Sequence, residues 1–262
     1  MTHPLDWLSC PHCDQPLHRH DGALRCPGNH THDIARQGYV NLLGHAAPKN
    51  ADTPAMLDAR ARFLGSGLFS PIADAVADAA AGATRVLEVG AGTGYYLAHT
   101  LNALPDAQGL ATDVSVAAAK RAARVHPRAG AVVADTWAGL PVSDGAVDAL
   151  LCVFAPRNPA EFGRVLEPGG RLVVVVPLPT HLREIRARHG LLDVPEDKAE
   201  AVTAAFPGWD AGTATVERTA DLTAEQTHDL IAMGPNAFHG SPAEVAPGTC
   251  SIAVTVLCLT RP

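Results

Sequence analysis

Residues 84–96 read TRVLEVGAGTGYY. An apolar run, VLEV, leads into glycines at alternate positions, Gly90, Gly92 and Gly94, and then into Tyr95 and Tyr96. This pattern predicts a buried strand, a sharp turn and a helix that starts near Tyr95. Glycine allows the backbone to turn tightly and a ligand to approach it closely. The spacing G-x-G-x-G differs from the G-x-G-x-x-G of dinucleotide loops, and the Gly-Lys-Ser/Thr of a phosphate-binding P-loop is missing. Glu88 lies two residues before the first glycine and suits a ligand with a cationic group. Asp113 ends the next strand, AQGLATD (107–113), where an acid can accept ribose hydroxyls. Asp135 ends GAVVAD (130–135) and is placed for an adenine amino group or a neighbouring backbone group.

Outward from this turn, strands and helices alternate. VAAAKRAARVH (116–126) is an amphipathic helix with a basic face, AVDALLCVFA (146–155) a fourth strand, AEFGRVL (160–166) a helix and GGRLVVVVP (169–177) a fifth strand. The rhythm predicts an α/β fold, a parallel sheet covered by helices. Residues 181–210 interrupt it. Strand-like TATVERTADL (213–222), a helix over 224–233, a loop over 234–244 and strand-like TCSIAVTVLCLT (249–260) complete the chain. On the N-terminal side, apolar positions at helical spacing over 57–79, broken at Gly65-Ser66-Gly67, predict two helices. AAPKNADTPAM (46–56) reads as a linker.

The first 45 residues are different in kind. They hold Cys10, Cys13 and Cys26 and seven of the thirteen histidines. The spacing Cys10-x2-Cys13-x12-Cys26-x3-His30 offers two ligand pairs on two short turns, which suits a tetrahedral Zn²⁺ ion. Pro11 and Pro27 favour tight turns there. His32 is the rival for the fourth position. A segment so poor in large apolar side chains needs a staple to fold. Four ligands fill the shell, so the metal is expected to be structural. Cys152, Cys250 and Cys258 lie in or beside apolar runs and read as buried thiols.

The 262 residues are 47% hydrophobic and 18% charged, enough for a sizeable core and unlike a disordered chain. No apolar run reaches the ~18 residues of a membrane span, and no secretory signal is visible, so a cytoplasmic protein without membrane partners is expected. The formal net charge of −7 argues against a general DNA or RNA binder and leaves room for a local basic face. Arg19, Arg25, Arg36, Lys49, Arg60 and Arg62 are the candidates for phosphate contacts, while Lys120, Arg121, Arg124 and Arg128 are expected to face away.

EVGAGTG (88–94), with Asp113, Asp135 and LEPGGRLVVVVP (166–177), resembles the class I S-adenosylmethionine-dependent methyltransferases. CPHCDQPL, LRCPGNHTHDIARQGYVNLL and MLDARARFL, with FAPRNPAEFGRVLEPGG and PLPTHLREI, narrow the resemblance to the 23S rRNA guanine-N1 methyltransferases, in the branch that includes macrolide-resistance enzymes. The resemblance implies a Rossmann-like, mostly parallel seven-stranded sheet. It implies a zinc-binding RNA-recognition module over 1–45, a linker and helix over 46–69, and a methyltransferase domain over 70–262 with a substrate-side insertion near 181–245. It implies a homodimer that methylates a guanine in the loop of hairpin 35 of 23S rRNA. NADTPAMLDARARFL and the composition favour nucleotide 748 over 745.

Carried over by residue, zinc falls to Cys10, Cys13, Cys26 and His30. Adenosylmethionine falls to Phe69, Glu88, Gly90, Gly92, Thr93, Gly94, Tyr95, Asp113, Asp135 and His181. Phe69 stands where some members have tyrosine. At the end of the fourth strand, Phe154 is a candidate to stack on a base and Arg157 to bind a phosphate or the guanine carbonyl. His181 and His239 are candidates, by chemistry, to remove the N1 proton. Two other readings are a small-molecule methyltransferase with a zinc knob and a non-catalytic adenosylmethionine-binding ribosome factor.

Overall fold

The computed structural model describes residues 3–191, 193–234 and 245–262. A 3₁₀ turn, Pro4–Trp7, precedes an antiparallel ribbon of β1 (His18–His20), β2 (Ala23–Arg25) and β3 (Thr31–Asp33). Then come β4 (Tyr39–Asn41), α1 (Pro54–Gly65), α2 (Ser70–Ala79), β5 (Arg85–Val89), α3 (Tyr95–Ala103), β6 (Gln108–Asp113), α4 (Val116–Ala122), β7 (Ala129–Val133) and β8 (Val147–Val153). The chain continues through α5 (Pro159–Val165), β9 (Leu166–Pro177), α6 (Arg183–His189), α7 (Lys198–Ala204), β10 (Asp210–Leu222), α8 (Ala224–Ala232) and β11 (Gly248–Thr260). The helix α1 begins inside the expected linker because Thr53 accepts the Met56 N–H at 3.3 Å as its cap and Pro54 suits the first turn.

One sheet has the order β10-β11-β9-β8-β5-β6-β7-β4. Its strands run parallel except β11, which is antiparallel to both β9 and β10. The order reverses at β5, with β6 on one side and β8 on the other. A crevice opens at the carboxyl ends of the strands at such a point, and ligands bind there.

Period-2 alternation sends side chains to two apolar faces. Ala149, Leu151 and Val153 of β8 and Val173 and Val175 of β9 pack with Ile72, Val76 and Leu97 on one face. Leu150, Cys152, Leu172, Val174 and Val176 pack on the other.

The seven expected strands are joined by an eighth, β4, which comes from the N-terminal segment. Val40 pairs with Val132 in parallel register, and the Leu42 N–H donates to the Val133 carbonyl at 3.0 Å. Leu5, Trp7, Leu8, Leu17 and Leu24 share one core with Leu110, Val132 and Val142 of the sheet side. Backbone bonds run from the Ser9 N–H to the Pro141 carbonyl (3.0 Å) and from the Ser143 N–H to the Trp7 carbonyl (2.9 Å). The cysteine-rich segment is welded to the sheet rather than hung from it. Among the described residues, no helix is long and apolar enough to cross a membrane.

Candidate active site

The glycine turn has the conformation its sequence demands. Gly90 and Gly92 have φ of +61° and +55°, in the left-handed region. A Cβ on Gly90 would lie 2.7 Å from the Ala155 side chain, so only glycine fits there. Asp113 braces the turn: its Oδ2 accepts the Gly92 N–H and its Oδ1 the Ser115 N–H, both at 2.8 Å. Glu88 is buried at the end of β5 and accepts the Leu97 N–H at 3.1 Å. Burial pushes its pKa up to about 8, and the Asp113 charge adds to the push.

A cavity of about 550 Å³ opens over this turn. Phe69, Glu88, Gly90, Thr93, Tyr95, Phe154, Arg157 and His181, all singled out in the sequence, line it together. Gly92, Gly94 and Asp113 form the turn and its brace behind. Asp135 lies elsewhere. It follows the end of β7, its Oδ1 accepts the Trp137 N–H at 2.9 Å, and it faces a neighbouring cleft of about 840 Å³ shared with Ser9, Pro11 and Asp14 of the N-terminal segment. His239 falls outside the described residues.

Three aromatic rings, those of Phe154, His181 and Phe69, form one wall, with Phe63 packed behind Phe69. The Phe154 ring stacks near His181 (centroids 5.8 Å apart, 25° between planes), Phe69 lies 6.0 Å from His181, and Phe63 meets Phe69 edge-on at 5.0 Å. Phe154 has φ of +53°, a strained conformation for a phenylalanine, and its side chain stays exposed. Strain of about 1–3 kcal/mol at such a residue persists only where the surroundings impose it.

His181 is buried, and its Nδ1 accepts the Ala253 backbone N–H at 3.1 Å. A backbone N–H can only donate, so the neutral ring carries its proton on Nε2. Burial, with the Arg186 charge, lowers its pKa to about 4. The ring therefore presents a donor, and the proton-accepting role considered for it does not fit this geometry.

Sequence reasoning missed several lining residues, among them Arg186 and Lys198, and assigned Arg60, which also lines the cavity, to phosphate. Burial and the charge of Arg157 both lower the Lys198 pKa, which marks the two as close cations at one rim. Of the expected phosphate ligands, Arg60 and Arg62 are engaged internally. Arg62 grips buried Asp229 of α8 with Nε to Oδ2 at 2.9 Å and Nη2 to Oδ1 at 2.6 Å. Arg19, Arg25, Arg36 and Lys49 are exposed.

In the N-terminal segment, the ligand atoms of Cys10, Cys13, Cys26 and His30 lie within 4.8 Å of one another. Two similar turns bring them together. The Asp14 N–H donates to the Cys10 carbonyl (2.8 Å) and the Asn29 N–H to the Cys26 carbonyl (3.0 Å), and Asp14 and Asn29 both have positive φ. Cys13 Sγ is 3.6 Å from Cys26 Sγ, and His30 Nδ1 is 3.5 Å from Cys10 Sγ and 3.4 Å from Cys26 Sγ. Tetrahedral Zn²⁺ with its usual bond lengths requires S···S edges of about 3.8 Å and S···N edges of about 3.6 Å. The donor set fits that ion. His32 reaches Cys10 Sγ at 3.8 Å and stacks on His12, outside the four-atom cluster.

Comparison with known proteins agrees with both halves. The family described as RlmA, N-terminal, a zinc ribbon, matches residues 8–47, and the family described as methyltransferase domain matches residues 86–170. A Micromonospora griseorubida protein named as a 23S rRNA (guanine-N1)-methyltransferase is 45% identical, covering 99% of this chain and 97% of its own. The 23S rRNA (guanine(748)-N1)-methyltransferase of Streptomyces fradiae is 44% identical, covering 92% and 89%. The solved structure of a Haloferax volcanii methyltransferase in complex with the Trm112 activator shares the fold at 17% identity and a TM-score of 0.50, covering 80% of this chain and 99% of that one. Adenosylmethionine and a structural zinc ion are the cofactors of this architecture. With identity of this level along nearly its whole length, the chain belongs to the 23S rRNA (guanine-N1)-methyltransferase family.

Proposed function

We propose that this protein transfers the methyl group of adenosylmethionine to N1 of a guanine in the loop of hairpin 35 of 23S rRNA, at nucleotide 748, and so supports macrolide resistance. The observation that carries the proposal is the aromatic wall of Phe154, His181 and Phe69 at the mouth of the glycine-turn cavity. The name of the Streptomyces fradiae relative supports the choice of nucleotide.

The cofactor supplies a methyl group already activated on a sulfonium. The protein has to position the base and ease loss of the N1 proton. N1 lies on the Watson–Crick edge, so the guanine must be unpaired or extruded. The exposed Phe154 ring offers it a stacking face, worth about 1–3 kcal/mol per base in such platforms. The Nε2–H of His181 and the Arg157 guanidinium are donors suited to O6, where negative charge grows as N1 loses its proton. Arg157 and Lys198 at the rim, with Arg19 and Arg25 on the ribbon, are suited to phosphates. Cys10, Cys13, Cys26 and His30 hold the zinc. The acting unit is a cytoplasmic homodimer, in which two copies pool their basic groups against a net charge of −7.

Primer extension tests this reading, since N1-methylguanine blocks pairing and stalls reverse transcriptase one nucleotide before it. With adenosylmethionine and unmodified 23S rRNA, the protein should create a stop one nucleotide before 748. A stop one nucleotide before 745 overturns the choice of nucleotide, and no stop in hairpin 35 overturns the substrate.

A further inference from the structure

Arg60 was expected to meet RNA phosphate. It lies instead against the glycine turn. A Cβ on Gly92 would sit 2.5 Å from Arg60 Nη1 and 3.6 Å from its Cδ and Cζ, so the missing side chain of Gly92 is the space the guanidinium occupies. Two partners fix it there. Its Nη1 donates to the Asp52 carboxylate, and its Nη2 donates to the Met233 carbonyl at 2.7 Å. Asp52 is anchored in turn, because its carbonyl accepts the Ser115 hydroxyl at 2.7 Å, and the Ser115 N–H donates to Asp113. Residues 52–60 thus close over the loop as a roof, with one cation lining the cavity.

A guanidinium has five N–H donors, and these two bonds leave others in the fork. The sulfonium, the ammonium and the neutral adenosine of the cofactor give it no charge partner. Adenosylmethionine carries a single anionic group, the carboxylate of its methionyl end. We propose that Arg60 clamps that carboxylate over Gly92, and that Asp52 is the positioning residue that holds Arg60 in place. The proposal rests on the cofactor assignment and adds to it a cofactor-binding residue from α1, outside the sheet. RNA phosphates are left to the rim, where Arg157 and Lys198 stand.

Calorimetry on the zinc-loaded full-length protein tests it, with two ligands that differ by the carboxylate alone: adenosylmethionine and decarboxylated adenosylmethionine. Arg60→Ala should weaken the first by roughly 10- to 100-fold, the usual range for a lost charge-assisted hydrogen bond, and the second by less than about 3-fold. Arg60→Lys should recover part of the loss, and Asp52→Asn should show the same ligand selectivity in smaller measure. The unmutated protein supplies a measurement free of any folding defect: it should bind the decarboxylated ligand at least about 10-fold more weakly. Equal weakening of both ligands by Arg60→Ala makes Arg60 a prop of the roof and overturns the clamp. So does equal affinity of the unmutated protein for the two. Loss of affinity for a hairpin 35 RNA with cofactor affinity unchanged returns Arg60 to phosphate binding. If the unmutated protein binds neither ligand, the cofactor assignment itself falls, and the clamp with it.

Discussion

The imidazole of His181 and the backbone N–H of Ala253, 72 residues apart, are joined by a 3.1 Å hydrogen bond that spends the ring's lone pair. Its folded-state pKa is about 4, below the 6.5 of a free histidine. The group therefore adds stability above pH 6.5, and this is lost as pH falls through 4. Long-range ¹⁵N NMR should find neutral, Nε2-protonated His181 down to pH 5. A ring that titrates near 6.5, or a pH–rate limb lost in His181→Gln, would restore it as a base.

Glu88 shifts the other way. Its pKa of about 8 exceeds the ordinary 4.5, so its contribution to stability is full below pH 4.5 and is lost as pH rises through 8. A cationic ligand overhead favours the carboxylate. Binding of adenosylmethionine at pH 7 should thus release a proton, approaching about 0.9 per site. Calorimetry in buffers of different ionisation enthalpy measures this number. The release should vanish in Glu88→Gln, and its persistence there would assign it to another group.

Phe154 combines strain with exposure. Phe154→Gly removes the φ penalty and also the ring, so the variant should melt no lower than the parent yet methylate RNA about 5- to 100-fold more slowly, the range for one lost stacking contact. Calorimetry should show little change in cofactor affinity. Unchanged methylation would make the ring ornamental to the substrate.

One zinc per chain is expected by elemental analysis. Its removal by a chelator should lower the melting temperature by about 6–12 °C, as a loss of about 3 kcal/mol does in a chain of this size. The change should also appear in Trp7 fluorescence, because Trp7 packs in the core shared by ribbon and sheet. A chelated protein that melts unchanged would contradict a structural role.

The residues that declare themselves in the sequence do so through local rules. The strands show as apolar runs, the turn at 90–94 as alternating glycines, and the metal set as a ligand spacing. What the sequence conceals depends on chain segments far apart. Tyr39–Asn41 is too short to alternate, and only Val132 beside it makes it a strand. An arginine near an expected RNA cleft reads as a phosphate contact, so Arg60 reveals its place only once α1 lies over Gly92. Asp135 sits beyond the last paired residue of β7, where the chain has already turned and the Trp137 N–H claims its carboxylate. A histidine in a sequence does not say which nitrogen its neighbours will claim.

Because Val40 is threaded into the sheet margin beside Val132, the ribbon's apolar side chains are held against the sheet in one core. Excising the first 45 residues would therefore bare a raw sheet margin along β7 and uncover the apolar side chains that the segment keeps from water.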